Sequence, residues 1–360
     1  MVDASHVQDA VQPGSEAVDS PAAESLGAFA HQAIQKHFQK TIKYKSQVLK
    51  DTDPEPLHQM RVGIRRLRAA LETFGPAIDL TGLANASGKQ SLRGLQPPLV
   101  DSRKLAKLAK RLGVVRDLDI MLIWLHTYCQ QAELTASEQQ ALKTVEKQLE
   151  KRRRKAFRQM RQWLNSNRYQ ALTADFKAWL CAPRYQALAQ IPIQLVLPDL
   201  LLPLMSEVLQ HPGWLVGTLA QSGVIVTIPG MDLPQINQLL AEQGTVLHDL
   251  RKRIKHFRYQ AEFFLDLYDP AYADRVKEFR QLQDLLGALQ DEAVISDLLA
   301  KILGRAWPKR LPALAQQFDR ERLTLWQQWQ PLQSRYLEAG FRHTLRMQVL
   351  SPAARLPDNP

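Results

Sequence analysis

The chain has 360 residues, with 47 Lys and Arg against 36 Asp and Glu and a formal net charge of +11. That excess favours an acidic partner, whether nucleic acid, an anionic membrane surface or a phosphate polymer, and carries no information on fold. Two cysteines, Cys129 and Cys181, lie far apart and outside any CxxC pattern, which argues against a disulfide framework or a cysteine-ligated zinc site and fits a reducing cytoplasm.

Hydrophobic residues make up 45% of the chain, enough for a sizeable core. Residues 1–25 have neither the basic start nor the apolar run of a signal peptide and read as a disordered tail. Apolar periodicity then predicts helices over about 26–50, 56–75, 100–130 and 136–165. Asp53-Pro54-Glu55-Pro56 opens the second of these, and Gly75-Pro76 closes it. A Pro- and Gly-rich stretch over about 183–235 is expected to connect two halves, and its β-branched run at 224–228 suits a small strand or a buried loop. The most apolar part, 191–204, is interrupted by Pro192, Pro198 and Pro203 and reads as too short and too broken to span a bilayer. Helical patterning resumes over about 235–268, 271–303 and 310–349. Residues 346–360 read as a C-terminal tail. The expected division is a first bundle at about 26–182, the connection at about 183–235 and a second bundle at about 236–345.

An internal repeat stands out. Residues 57–74 align with 247–264 at an offset of 190, with Leu, His, Arg, Ile, Arg, Glu and Phe identical. A second match follows in the same order: Leu112-Gly113-Val114-Val115-Arg116-Asp117 beside Leu286-Gly287-Ala288-Leu289-Gln290-Asp291. Two ordered matches imply a duplicated unit of about four helices per half.

Projected on a helix, His58, Arg61, Arg65, Arg68 and Glu72 fall within roughly 80° of one another, opposite Met60, Leu67, Leu71 and Phe74. The second copy offers His248, Arg251, Lys255, Arg258 and Glu262. Cations three and four residues apart repel, so such a row is costly without an anion. Guanidinium forks match phosphate oxygens, and histidine adds a donor whose charge depends on pH. A solvated basic face is the alternative for either copy alone; duplication favours a binding row. Similar stripes run along 103–112, including Lys107, and along 141–164, including Lys151, Arg154 and Arg158. If these helices pack through their apolar faces, the stripes are expected to converge on one groove. Asp117, Asp119 and Asp291, expected just after Leu-Gly turns, suit either a carboxylate that orients an arginine or a helix N-cap.

His58-x-x-Arg61-Val62-x-x-Arg65-Arg66-Leu67-Arg68, with Glu72 and Phe74, resembles the signature of the CHAD family, the conserved histidine α-helical domain. The second copy and the Leu-Gly-x-x-x-Asp segments extend the resemblance over roughly 26–345. It implies an all-α fold of two pseudo-symmetric four-helix bundles forming one CHAD domain, a basic central groove or channel, and affinity for inorganic polyphosphate. The contacts it implies are His58, Arg61, Arg65 and Arg68 with His248, Arg251, Lys255 and Arg258. This copy departs from the first at Lys255 for Arg65, His256 for Arg66, Phe257 for Leu67 and Gln290 for Arg116.

The expected function is therefore non-catalytic polyphosphate binding in the cytoplasm, in some settings on polyphosphate granules, with no cofactor, metal or membrane contact. The alternative is binding of single-stranded nucleic acid or another polyanion, for which no aromatic stacking platform lies on the basic faces. No P-loop, Glu-x-Glu-x-Lys strand or two-metal carboxylate cluster is present to support phosphoryl chemistry.

Overall fold

The computed structural model describes residues 24–79 and 100–353. Of the expected tails at 1–25 and 346–360, residues 1–23 and 354–360 lie outside the described residues, whereas Ser25 caps a helix and 346–350 complete one. Helices α1 (Leu26–Lys43), α2 (Lys45–Lys50), α3 (Glu55–Thr73), α4 (Val100–Gln131), α5 (Ala136–Leu164) and α6 (Asn167–Cys181) form the first half. Helices α7 (Ile193–Leu209), α8 (Leu233–Ala261), α9 (Pro270–Leu303), α10 (Trp307–Arg310), α11 (Pro312–Leu337) and α12 (Ala339–Leu350) form the second. Among the described residues the fold is all-α apart from one small hairpin.

Helix starts follow from capping chemistry. The Ser25 hydroxyl accepts from the Ala28 amide, and Thr135 with Glu138 and Asp232 with Gln235 close reciprocal capping boxes on α5 and α8. Asp269 caps α9 just before Pro270, whose missing N–H costs nothing in a first turn.

The stretch expected as a plain connection over 183–235 is more structured than its prolines suggest. Ile193, Val196, Leu197, Leu201, Met205, Val208 and Leu209 of α7 are buried, and the helix packs on α8 and α12. Pro198 and Pro203 lie inside it without breaking it, because burial of that face outweighs the lost hydrogen bonds. By length and composition alone, 193–215 is apolar enough to be a candidate membrane span, which corrects the expectation that the prolines forbid it. The β-branched run is an exposed strand, not a buried loop. Residues 218–221 pair antiparallel with 224–227, and Ser222 and Gly223 both take positive φ at the turn, the geometry that matches strand twist.

Two apolar cores hold the halves together. The larger takes side chains from α1, α3, α7, α8 and the inner ends of α4, α5 and α9. The smaller joins the distal ends of α4 and α5, through Leu125, Tyr128, Leu142 and Leu149, to Leu299, Leu303, Leu311, Leu314 and Phe318. Both α3 and α8 contribute to the larger core, and they lie against each other. There the repeat shows itself in side-chain chemistry. Arg66 donates to Glu262, and His256 pairs with Glu72 at 2.8 Å. Positions 66 and 256, like 72 and 262, are related by the 190-residue offset, so equivalent residues exchange partners across the α3–α8 contact.

Candidate functional site

The two His-x-x-Arg helices bring their basic rows to one junction. Burial, then Arg251, Arg65 and Arg61, pushes the Lys255 ammonium down to about 8, against the opposing pull of Asp117. Two of those arginines belong to α3 and one to α8, so cations from both copies act on one another at Lys255. Asp291 lies in the same field: burial and Asp117 raise its carboxyl, while Arg251 and His248 lower it.

The paired glycines explain how the arginines reach this junction. A Cβ added at Gly113 would stand 2.7 Å from Arg61 Nη1, and one at Gly287 would stand 3.1 Å from Arg251 Nε. Both glycines sit in the middle of long helices, α4 and α9. The expected Leu-Gly turns are therefore corrected, and with them the reading of Asp117, Asp119 and Asp291 as N-caps. Glycine is needed there for the close approach of a guanidinium to a helix backbone, with no change of chain direction. Asp117 takes the orienting role, accepting from Arg61 at 3.1 Å. Asp119 instead accepts from Arg153, which also grips Asp51 with two bonds of 2.6 and 2.8 Å.

His58 and His248 are half-buried and both are held below the ordinary histidine range. Burial is the larger cause in each; Arg116 is next at His58, and Lys252 and Arg251 follow at His248. Both imidazoles are therefore neutral at pH 7. Arg65 stacks over the buried Tyr259 ring at 4.3 Å, and burial lowers its pKa. The Nε atoms of Arg65 and Arg116 and Nδ1 of His248 are buried and meet no acceptor or donor within the protein. Arg116, absent from the expected contacts, thus belongs to the junction, and its position one residue before Asp117 in the second repeated segment was the available signal.

Not every expected contact is brought in. Arg258 is buried, with its side chain 6% exposed, donating to Glu262 and to Gln283 Oε1 at 3.0 and 3.1 Å. It belongs to the packing, because Glu262 and Gln283 of α9 consume its guanidinium donors. Arg68 is exposed at the far end of its row. Lys107, Lys151, Arg154 and Arg158 are exposed on α4 and α5, with Arg154 paired to Glu150 at 3.2 Å. The strongest charges acting on His58, Arg65 and Lys255 come from the two repeated helices, from Arg116 and from nearby carboxylates and Tyr259, and from none of these four.

Comparison with known proteins agrees with this architecture. The chain matches the CHAD domain model over residues 32–300. No curated protein matches it. The crystal structure of the CHAD domain from the plant Ricinus communis is similar at a TM-score of 0.51 and 20% identity, covering 93% of this chain and 96% of that one. PptA from Streptomyces chartreusis is similar at a TM-score of 0.52 and 17% identity, covering 90% of this chain and all of that one. With the repeated His-x-x-Arg helices joined at one basic junction and three quarters of its length matched by the family model, this chain belongs to the CHAD domain family.

Proposed function

We propose that this protein binds inorganic polyphosphate without catalysis, the two repeated rows forming opposite walls of one basic groove. The observation that carries the reading is the crowding at Lys255, where Arg61 and Arg65 of one copy meet Arg251 of the other. Cations held this close, with Asp117 as the ion-pair partner of Arg61, are stabilised by a ligand of dense negative charge. The buried Nε atoms of Arg65 and Arg116 would gain acceptors from phosphate oxygens. Family membership supports the same ligand. In this reading the chain is not an enzyme, and it acts in the cytoplasm, at polyphosphate granules where these form. Lys107, Lys151, Arg154 and Arg158 then serve as an outer surface for longer polymers.

The test is binding of polyphosphates of graded length to the parent and to Arg61→Ala, Arg68→Ala and Arg251→Ala. Each lost contact should weaken binding and make the slope of log affinity against log salt shallower by about one unit. Unchanged affinity in all three variants would sink the site. Displacement of polyphosphate by DNA or RNA at equal phosphate concentration would replace it with the nucleic-acid reading.

A further inference from the structure

A second candidate site shares none of its lining residues with the Lys255 junction. It is a cavity of about 1030 Å³ between α1, α3, the short helical turn Glu262–Leu267 and α9. Its size is that of a small-molecule site rather than a polymer track. Phe29, which stacks on Phe264 at 5.7 Å, and Phe263, which packs against Phe74 at 5.7 Å, line it and are only partly buried, so each leaves part of its ring to whatever enters. The His37 ring stands edge-on to Phe263 at 5.6 Å, and its buried Nδ1 has no hydrogen-bond partner in the protein.

Four cations, Lys36, Arg66, Lys277 and Arg280, and three carboxylates, Glu24, Glu262 and Asp266, line this cavity, and the excess of positive charge is concentrated around Glu262. Glu262, with its side chain 5% exposed, accepts from Arg66 and Arg258 and from Arg280 at 3.3 Å. One carboxylate therefore faces three guanidinium groups, and two positive charges remain without a partner of opposite sign within this cluster. Two of the three, Arg66 and Arg280, line the cavity, together with Lys36. Arg280 is 62% exposed, free to turn toward a ligand. Burial, Arg258 and Arg65 push Arg66 down to about 10, as expected of a cation that lacks enough counter-charge. The buried Tyr259 ring separates this wall from the row, with Arg65 at 4.3 Å, Arg258 at 4.5 Å and Arg66 at 5.4 Å from its centroid.

We propose that this cavity is a binding site for a nucleoside monophosphate, its base lying against Phe29 and Phe263 and its phosphate meeting Arg66, Arg280 and Lys36. The pairing of ring surface with a guanidinium-rich wall selects for a ligand that carries both a flat ring and a phosphate. An unbranched phosphate polymer uses only the second feature. The site stands apart from the polyphosphate reading, because it uses different residues and a different ligand.

The experiment is calorimetric titration of the full chain with adenosine 5′-monophosphate, adenosine and inorganic phosphate. The expected result is one monophosphate per chain, bound at least about tenfold tighter than either fragment. Arg280→Ala and Lys36→Ala, both at exposed positions, should each weaken it several-fold, while Arg68→Ala in the polymer row leaves it unchanged. Three outcomes would overturn the proposal: no saturable binding at millimolar nucleotide, phosphate binding as well as the nucleotide, or loss on Arg68→Ala with none on Arg280→Ala. Polyphosphate binding, measured in parallel, reports on the other site independently.

Discussion

Replacing Glu262 with Gln tests the electrostatics of the contact between the two halves. The carboxylate is almost solvent-free and serves Arg66, Arg258 and Arg280 at once. Arg258 is equally buried, Arg66 has a side chain 20% exposed, and Arg280 is well solvated. Glu262→Gln keeps the shape and one acceptor oxygen but removes the carboxylate charge that Arg66, Arg258 and Arg280 share. Arg280 loses little, because water screens it. Arg66 and Arg258 are left as buried cations, and breaking a buried pair in this way costs about 3–5 kcal/mol. Arg258 retains its two bonds to Gln283, which places the expected loss near the lower end, about 3 kcal/mol. Urea unfolding should show the midpoint fall with an unchanged dependence on denaturant, since the surface exposed on unfolding is the same. A loss below about 1 kcal/mol would refute the reasoning, because it would mean that the carboxylate is not what compensates the buried arginines.

Other outcomes follow from the same geometry. Gly113→Ala should leave folding stability unchanged or raise it by up to about 1 kcal/mol through helix propensity, yet weaken polyphosphate binding by displacing Arg61; equal affinity by titration would contradict the close-approach role. Lys255 has a folded pKa near 8 against 10.5 for the free side chain, so the unfolded chain binds more protons between those values. Its contribution to stability therefore rises with pH across about 8 to 10.5, and a flat difference between the parent and Lys255→Met over that window would count against it. Polyphosphate should restore the charge on Lys255, giving net proton uptake on binding near pH 8.5 that Lys255→Met abolishes, as read by calorimetry in buffers of different ionisation heat. The His256 imidazole is raised by its hydrogen bond to Glu72, so this pair stabilises most fully below pH 6.5 and is lost as pH rises through the folded value. His256→Gln should remove that slope, and denaturant melts at pH 6 and pH 8 would show it. His58 and His248 are held neutral at pH 7, so binding should strengthen as pH falls below 6.5, an effect absent from a variant carrying Gln at both positions.

The helices and the apolar face of each were legible in the amino-acid order, because a 3.6-residue period records burial directly. That holds for Met60, Ile64 and Leu67 and for Leu142, Val145 and Leu149, all buried as the period requires. The duplication was legible too, since the same side-chain set recurs at a fixed offset. What the order could not carry was direction: where a basic face points once its helix is packed. Arg258 and Arg251 sit two turns apart on one row, yet Glu262 and Gln283 of α9 take up the first while the second stays at the junction. Prolines 198 and 203 argued for a broken segment, but the gain from burying α7 exceeds their local cost, and that gain exists only once α8 and α12 are in place. Gly113 and Gly287 read as turns because glycine disfavours a helix, and only the arginines crossing them from another helix reveal their purpose. The sequence by itself determined the all-helical class and the basic stripes, since these depend on residues near one another in the chain, and the repeat, since recurrence at a fixed offset is a property of residue order alone. The tertiary structure alone decided which cations meet at Lys255 and which are consumed by Glu262, since long-range Coulomb partners are chosen by packing between segments 190 residues apart.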